Sequence, residues 1–202
     1  MKFSTTTAVK STGKFAFSTR VTAAKFSVIC GPMFSGKTKS LIGLIDKERK
    51  KGKIVFVFKP KLDDRYGKTA VVSHDKDAVE ALAVDKPVEI LDFYHSADAV
   101  AIDEVQFFDE TIVQVCKMIL KSGKSLIVSG LDLDYLANPF GSMPQLLAFA
   151  DDIIKLNAVC TFCSGRARHS HRISSESDIV VLGEKDKYVP LCRNCYSYIT
   201  NK

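Results

Sequence analysis

Several features that would place a chain in a familiar class are missing from this sequence. It contains no run of about 18 apolar residues, the length that a helix needs to cross a bilayer, so we predict no membrane segment. Residues 1–25 contain no aspartate or glutamate, and their five cations supply most of the net charge of +6. The rest of the chain is therefore close to neutral, and its charge does not favour a nucleic-acid partner.

Residues 1–24 also lack features that the rest of the chain has. They are rich in serine and threonine, they contain only one arginine, Arg20, and they have no apolar core like that of a secretory signal. This composition is typical of a disordered tail on a cytoplasmic protein, which is what we predict. A transit peptide, with an organelle as the location, is the alternative.

Apolar residues make up 46% of the chain, which is enough for a sizeable core. Short apolar runs alternate with segments of helical periodicity, and this alternation predicts a mostly parallel sheet with helices on both faces. Helices are predicted between Gly36 and Gly52, after Asp109, and at Leu146–Phe149. The polar segment Lys59–Lys76 is predicted to be a functional loop or a mobile lid. Strands are predicted at Phe26–Cys30, Ile54–Phe58, Val88–Leu91, Ala99–Ile102, Ser125–Ser129 and Ile153–Val159.

A glycine-rich segment follows the first predicted strand and precedes the first predicted helix. It matches the phosphate-binding loop pattern G-x-x-x-x-G-K-[ST] at every fixed position. In such a loop, backbone N–H groups cradle phosphate oxygens, and glycine permits the backbone angles that this requires. We expect Lys37 to reach the outer phosphates and the Thr38 hydroxyl to bind Mg²⁺. The loop comprises Gly31, Pro32, Met33, Phe34, Ser35, Gly36, Lys37 and Thr38.

Two adjacent acids follow the apolar run Ala99–Ile102. A phosphate loop needs a carboxylate at the end of a neighbouring strand, and Asp103 supplies it as a ligand of Mg²⁺. Glu104 must point elsewhere because strand neighbours alternate, and this makes it a candidate general base. An ATPase would use such a glutamate to activate water, so the pair alone does not identify the phosphate acceptor. Nearby aromatic residues would suit a flat heterocycle held by stacking: Phe107, Phe108, Tyr135 and Phe140.

Four of the six cysteines form two C-x-x-C pairs: Cys160, Cys163, Cys192 and Cys195. In an intracellular chain such pairs bind zinc more often than they form disulfides. Four thiolates leave no position for a catalytic water, so we predict a closed, structural Zn²⁺ site that folds a few short strands. His169 and His171 are surplus to this ligand set and are predicted to lie at the surface.

Several longer motifs accompany the phosphate loop. They are Asp-Glu-Val-Gln-Phe-Phe from Asp103, Asp63-x-Arg65-Tyr66, Ser73-His74-Asp75, Asn138-Pro-Phe-Gly, and Asp186-Lys-Tyr188 ahead of a C-x-x-C pair. In their order and spacing, from about residue 26 to residue 200, the chain closely resembles the cellular-type (type II) thymidine kinases. The resemblance implies a P-loop (RecA-like) ATP-binding α/β domain and a small zinc-ribbon-like domain whose loop covers the nucleoside. It also implies a homotetramer that transfers the γ-phosphoryl group of ATP to the 5′-hydroxyl of thymidine, giving dTMP.

The resemblance further implies roles for residues at matching positions. Glu104 would take the 5′-hydroxyl proton, Lys37 would bind phosphate, and Thr38 and Asp103 would hold magnesium. Val105 and Gln106 would complete the ATP site, although Val105 stands where the family often has a small residue. Thymidine would contact Met33, Arg65 of the lid, Phe107, Leu131, Tyr135, Phe140, Ile179, Val180, Val181, Leu182, Gly183 and Tyr188.

The predicted domains are a tail at residues 1–24, an ATP-binding domain at 25–158, and a zinc-binding domain with the nucleoside loop at 159–202.

From the residues alone, a nucleic-acid-stimulated ATPase stays open, with Arg166, Arg168 and Arg172 as its basic contact, although such a cluster is typical of a solvated face. A GTP switch would need an N/T-K-x-D sequence, which is missing. A module that only binds partners through a zinc ribbon would leave the phosphate loop unexplained.

Overall fold

The structure, a computed structural model, describes residues 24–62, 70–72, 77–174 and 187–201. Within these ranges no helix is both long and apolar enough to cross a membrane. The strands are β1 Phe26–Cys30, β2 Val55–Pro60, β3 Ala70–Val72, β4 Ala78–Glu80, β5 Leu82–Val84, β6 Ala99–Ile102, β7 Ser125–Gly130, β8 Asp152–Lys155, β9 Ala158–Val159, β10 Arg166–Ala167, β11 His169–Arg172 and β12 Tyr188–Leu191. The helices are α1 Lys37–Arg49, α2 Thr111–Lys121, α3 Met143–Ala148 and α4 Arg193–Thr200.

The central sheet has six strands in the order β5-β2-β6-β7-β1-β8. Every pairing in it is parallel, which confirms the predicted sheet type. β7 separates β1 from β6, so the strand that leads to Asp103 is not a direct neighbour of the strand that leads to the phosphate loop. Because all strands run the same way, their carboxyl ends lie along one edge of the sheet, where ligands of open α/β sheets bind.

Side chains on the two faces of the sheet belong to two separate hydrophobic clusters. One face packs Val28, Val100 and Val128 against α2 and α3, and the other packs Ile29, Ala101 and Ile127 against α1. Strand residues alternate between the faces, and both faces are covered, which explains why the strands are apolar throughout. The predicted helices on both faces are confirmed.

The remaining strands form three two-stranded sheets, β3–β4, β9–β10 and β11–β12, all antiparallel. The second and third of these, together with α4, surround a small apolar cluster that includes Ala158, Cys160, Ala167 and Leu191. The short strands agree with the prediction for the chain beyond Cys160, whereas the helix α4 was not predicted there.

Three predicted elements differ from the structure. The segment Val88–Leu91 lies in a 3₁₀ helix, Pro87–Asp92, because proline starts the turn and the Glu89 carboxylate accepts a 3.1 Å hydrogen bond from the N–H of Lys86. The run Ile153–Val159 is divided between β8 of the central sheet and β9 of a small sheet. The segment Lys59–Lys76, predicted to be a polar loop, is not all loop. Lys59 is buried within β2 and donates a 2.8 Å hydrogen bond to the Ala70 carbonyl, and Ala70–Val72 forms β3. Residues 63–69 and 73–76 lie outside the described ranges.

Candidate active site

The phosphate loop connects β1 to α1 in the predicted order. Its backbone takes left-handed angles at Gly36, with φ of 83°, and at Phe34, with φ of 63°. A Cβ atom at Gly31 would lie 2.6 Å from the Leu156 carbonyl oxygen, so only glycine fits where the loop passes the end of β8. Glycine thus occupies two positions of the loop that favour it, Gly31 and Gly36, while Phe34 adopts the left-handed conformation despite its side chain.

Two polar side chains of the loop are set for an anion. The Lys37 side chain is buried and its Nζ donates a 3.0 Å hydrogen bond to the Pro32 carbonyl, which holds the cation over the loop. The Ser35 hydroxyl is buried and has no hydrogen-bond partner among the described residues. A buried hydroxyl without a partner usually indicates an absent ligand or water. Both features fit a phosphate group above the loop.

The acidic pair lies at the carboxyl end of β6. Asp103 and Glu104 are both buried, with exposed fractions of 4% and 9%. Glu104 has φ of 49° and ψ of 40°, a left-handed conformation that is costly for a residue with a side chain. Asp103 Oδ1 accepts the N–H of Glu104 at 3.0 Å and stabilises this turn. Because β6 ends at Ile102, the placement of Glu104 depends on this turn and not on the alternation of a strand.

Gln106 supports the Glu104 carboxylate. Its Nε2 donates to Glu104 Oε2 at 2.6 Å, and its Oε1 accepts the N–H of Leu131 at 3.0 Å. The amide group therefore connects the acidic pair to the end of β7. Gln106 is itself buried, and an orientation set by two hydrogen bonds on opposite sides is strongly preferred. Within the protein Gln106 contacts Glu104 and Leu131, and its predicted contact with ATP stays a prediction.

Burial and the negative charge of Glu104 raise the pKa of Asp103 to about 7, and the positive charge of Lys37 acts in the opposite direction. Two buried carboxylates this close repel each other when both are ionised. A divalent cation beside them removes that repulsion, so this donor set fits the predicted magnesium ion.

Four aromatic residues follow the acidic pair in the chain, and together they are called the aromatic wall: Phe107, Tyr135, Phe140 and Tyr188. The rings of Phe107 and Phe140 meet edge to face with centroids 5.8 Å apart. In a second group, the guanidinium of Arg172 lies 3.7 Å from the centroid of the Tyr135 ring and donates to the Tyr188 hydroxyl. These side chains come from the segments after β6 and β7 and from β11 and β12. A flat ring could stack within such a wall.

The small sheets are joined to this site by two hydrogen bonds from distant residues. The N–H of Met33 in the phosphate loop donates to Ser170 Oγ of β11 at 2.9 Å, and the Tyr196 hydroxyl of α4 donates to the Tyr135 carbonyl at 2.8 Å. The C-terminal elements therefore contact both the phosphate loop and the aromatic wall.

The four predicted cysteine ligands lie together. All four Sγ atoms are within 4.8 Å of one another, and those of Cys163 and Cys192 are 3.6 Å apart. A tetrahedral zinc with Zn–S bonds of about 2.3 Å needs sulfur separations of about 3.8 Å, so the cluster fits the ion. Burial acts to raise the pKa of Cys160, but hydrogen bonds from backbone groups of Cys192, Cys163 and Phe162 outweigh it and lower that pKa to about 6. This shift favours the metal-binding thiolate form at Cys160, whereas hydrogen bonding to Cys192 raises the pKa of Cys195 to about 12.

Comparisons of the whole chain with known proteins point to one family. Residues 24–196 match the family described as thymidine kinase. The chain is 47% identical over 169 residues to the thymidine kinase of Rhodothermus sp. (strain ITI 518), covering 84% of this chain and 79% of that protein. It is 44% identical over 172 residues to the thymidine kinase of Bacteroides thetaiotaomicron, covering 85% of this chain and 86% of that protein.

The chain belongs to the thymidine kinase family. Membership of this family identifies it as a kinase, and the resemblance predicted from its motifs is confirmed. Among solved structures, a DNA replication initiation factor aligns with a TM-score of 0.43 at 13% identity, covering 67% of this chain and 41% of that one.

His169 and Arg172, which the sequence assigned to the surface, are buried in this thymidine kinase family member. The His169 ring stacks on Tyr196, with centroids 4.6 Å apart, while the half-buried His171 meets the same ring edge to face. Burial and the positive charge of Arg193 lower the pKa of His169. Arg172 was predicted to lie with Arg166 and Arg168 on a solvated face, but only the latter two are exposed.

Among the predicted thymidine contacts, Phe107 packs on Phe140, and Tyr135 and Tyr188 both contact Arg172. The N–H of Leu131 donates to Gln106, and that of Met33 donates to Ser170. Their contacts with thymidine stay predictions. The predicted contacts Arg65 and Ile179–Gly183 lie outside the described residues and stay predictions. Sequence reasoning missed Ser170 and Tyr196 as links between the C-terminal elements and the site. It also did not assign Arg172 to the site, because no neighbouring residue in the sequence indicates that this arginine is buried.

Gly130→Ala is expected to lower kcat about 10–100-fold, because small displacements of a catalytic group have effects of this size. An added Cβ would lie 2.6 Å from Gln106 Oε1, 2.9 Å from Met143 Sδ and 3.1 Å from Val105 Cγ1. Gln106 would have to move, which would either break its hydrogen bond to Glu104 or displace the Glu104 carboxylate. Initial-rate kinetics at saturating substrates, with urea unfolding in parallel, measure the effect.

Gly43→Ala in α1 is the matched control, since nothing lies within 4 Å of the added Cβ. It should keep wild-type kcat and gain about 0.5–1 kcal/mol of helix stability. A Gly130→Ala protein with wild-type kcat would show that the Gln106 position does not control Glu104.

Proposed function

We propose that this protein is a thymidine kinase that transfers the γ-phosphoryl group of ATP to the 5′-hydroxyl of thymidine, giving dTMP and ADP. The observation that carries the proposal is a buried glutamate, Glu104, oriented by Gln106 beside a complete phosphate loop. The family match and the aromatic wall near the acidic pair support thymidine as the acceptor.

In the proposed reaction, Glu104 accepts the proton of the 5′-hydroxyl as the oxygen attacks the γ-phosphorus. The bond from that phosphorus to the β–γ bridging oxygen breaks, and ADP leaves. Lys37 and the N–H groups of the loop balance the charge on the phosphate oxygens. Gln106 donates to Glu104 Oε2 and thereby restricts the orientation of the carboxylate that accepts the proton.

Magnesium would be held by Asp103 and Thr38. When bound with ATP, it supplies charge neutralisation at the β- and γ-phosphate oxygens. The buried pair of carboxylates beside the phosphate loop supports this assignment.

Zinc would be held by Cys160, Cys163, Cys192 and Cys195 in a closed structural site. Its proposed role is to fold the C-terminal elements, whose apolar cluster is small. Through Tyr188 and Arg172 these elements also contribute to the aromatic wall, so zinc would affect activity without touching substrate.

Selection among nucleosides is expected to depend on the edge of the base. Cytosine presents an amino group and a bare ring nitrogen where thymine has a carbonyl and an N–H. Backbone groups that pair with thymine would then place donor against donor and acceptor against acceptor. Each buried group left unpaired costs about 1–3 kcal/mol. Two mismatches correspond to about 10²–10⁴-fold discrimination against deoxycytidine. Deoxyuridine lacks only a methyl group, so its use should stay measurable.

A comparison of kcat/KM for thymidine, deoxyuridine and deoxycytidine at saturating Mg-ATP tests this expectation. Similar values for thymidine and deoxycytidine would contradict base reading by backbone groups such as those predicted at Ile179–Gly183.

The proposed function is tested by incubating the protein with Mg-ATP and either thymidine or single-stranded DNA. We expect dTMP to form stoichiometrically with ADP, and no stimulation of ATP hydrolysis by DNA. ADP release that responds to DNA and not to thymidine would favour the nucleic-acid-stimulated ATPase. That alternative loses support because Arg172, one of its three predicted contacts, is buried.

We propose the same domain division as the sequence predicts, at residues 25–158 and 159–202, with residues 1–23 outside the described ranges. A homotetramer in the cytoplasm likewise stays a prediction. Light scattering coupled to size-exclusion chromatography measures the oligomeric state, and imaging of the tagged full-length chain measures the location in the cell.

A further inference from the structure

Arg172 is a charged side chain in a buried position. It ends β11, its exposed fraction is 6%, and its cross-strand partner in β12 is Tyr188. Its Nε and Nη2 both donate to the Tyr188 hydroxyl, at 3.1 and 2.8 Å. Burial of a guanidinium is unfavourable unless its donors and its charge are satisfied by the surroundings. The contacts of Arg172 therefore matter for how this part of the fold is arranged.

The flat face of the same guanidinium lies against a second aromatic ring. The Arg172 Cζ atom is 3.7 Å from the centroid of the Tyr135 ring and 5.3 Å from that of the Tyr188 ring. Tyr135 follows β7 of the central sheet, whereas Tyr188 begins β12. One side chain therefore fixes the relative position of two aromatic residues that come from different parts of the fold.

Independent contacts hold this arrangement on its other sides. The Tyr196 hydroxyl donates to the Tyr135 carbonyl at 2.8 Å, which fixes the backbone that carries the Tyr135 ring. Ser170, two residues before Arg172 on β11, accepts the Met33 N–H at 2.9 Å. Arg172 is thus part of a strand that is anchored to the phosphate loop and lies against the aromatic wall.

We propose that Arg172 is a positioning residue for the nucleoside, and that it sets the affinity for thymidine by holding the Tyr135 ring and the Tyr188 hydroxyl in place. This inference rests on the proposed function. It requires the planar guanidinium, because only that group can stack on one ring while two of its N–H groups reach the hydroxyl of the other. A lysine would keep the charge and lose both geometric features.

The test compares Arg172→Met, Arg172→Lys, Tyr188→Phe and the double variant Arg172→Met/Tyr188→Phe with the wild-type protein. The matched control is Arg168→Met, which removes an exposed arginine just before the same strand. For each protein, KM for thymidine, KM for ATP, kcat, zinc content and the midpoint of thermal unfolding are measured.

Loss of charge-assisted hydrogen bonds in Arg172→Met should raise KM for thymidine about 10–100-fold. The KM for ATP and the zinc content should stay within about twofold of wild type, since neither depends on the two tyrosines. Arg172→Lys should not restore KM for thymidine. In the Tyr188→Phe background, Arg172→Met should have a smaller effect than in the wild-type background, because the two residues act through one contact.

Three results would overturn the inference. One is an unchanged KM for thymidine in Arg172→Met while wild type is active. Another is full rescue by lysine, which would show that charge alone matters. The third is a loss of zinc and of thermal stability together with a rise in both KM values, which would assign Arg172 a structural role.

If Arg172→Met does not fold, Tyr188→Phe keeps the arginine and removes only the hydroxyl, and an unchanged KM for thymidine in that variant also overturns the inference. A wild-type protein that does not phosphorylate thymidine would overturn the proposed function first, and the inference with it.

Discussion

Replacing Glu104 with glutamine is expected to lower kcat about 10²–10⁴-fold, the usual effect of losing a general base. The substitution keeps the shape of the side chain and removes its ability to accept a proton. The Gln106 amide, now 2.6 Å from Glu104 Oε2, can still donate to the carboxamide oxygen of the variant, so the local structure should persist. ATP affinity should change little because the phosphate loop is untouched.

The matched control is Glu110→Gln, at an exposed acid near the start of α2. It should retain wild-type kcat, which would separate the loss of a base from the loss of any one negative charge. ATP binding is measured by calorimetry with the magnesium complex. A Glu104→Gln enzyme within about threefold of wild-type kcat would rule out Glu104 as the base, because the expected loss is at least about a hundredfold.

Replacing Cys163 with serine is expected to unfold the C-terminal elements and abolish activity. Structural zinc sites contribute about 10–16 kcal/mol of apparent binding free energy to folding, and loss of one thiolate removes a large part of it. The apolar cluster around Cys160 and Leu191 is too small to replace that contribution. Tyr188 and Arg172 belong to the same elements, so the aromatic wall would lose one side.

Metal analysis should find about one zinc per chain in the wild type and a large deficit in the variant. Soluble yield and protection of residues 159–174 and 187–201 from proteolysis should fall together. Ser197→Ala changes an exposed residue in the middle of α4 and should leave zinc content and activity intact. A Cys163→Ser protein that is zinc-free, folded and fully active would refute the structural role of the metal.

Local signals in the chain were sufficient for much of the fold. The strand, phosphate loop and helix from Phe26 to Arg49 are specified by neighbouring residues, and the structure reproduces that order. The cysteine cluster was predictable because each C-x-x-C pair brings two thiols together locally, one pair in a turn and the other at the start of α4, so that one further contact forms the site. The segment Val88–Leu91 was predicted wrongly because a run of four apolar residues does not distinguish a strand from a 3₁₀ turn.

Sequence by itself determined the phosphate loop, the acidic pair, the four thiols and the family to which the chain belongs. Tertiary structure alone decided that Gln106 holds Glu104, that His169 is buried under Tyr196, and that Arg172 lies between two tyrosines. Arg172 and Tyr135 are far apart in the chain, and their contact depends on how the C-terminal elements pack on the sheet. A buried charge looks the same in sequence as an exposed one, because the partners that make its burial favourable are assembled only when the chain folds.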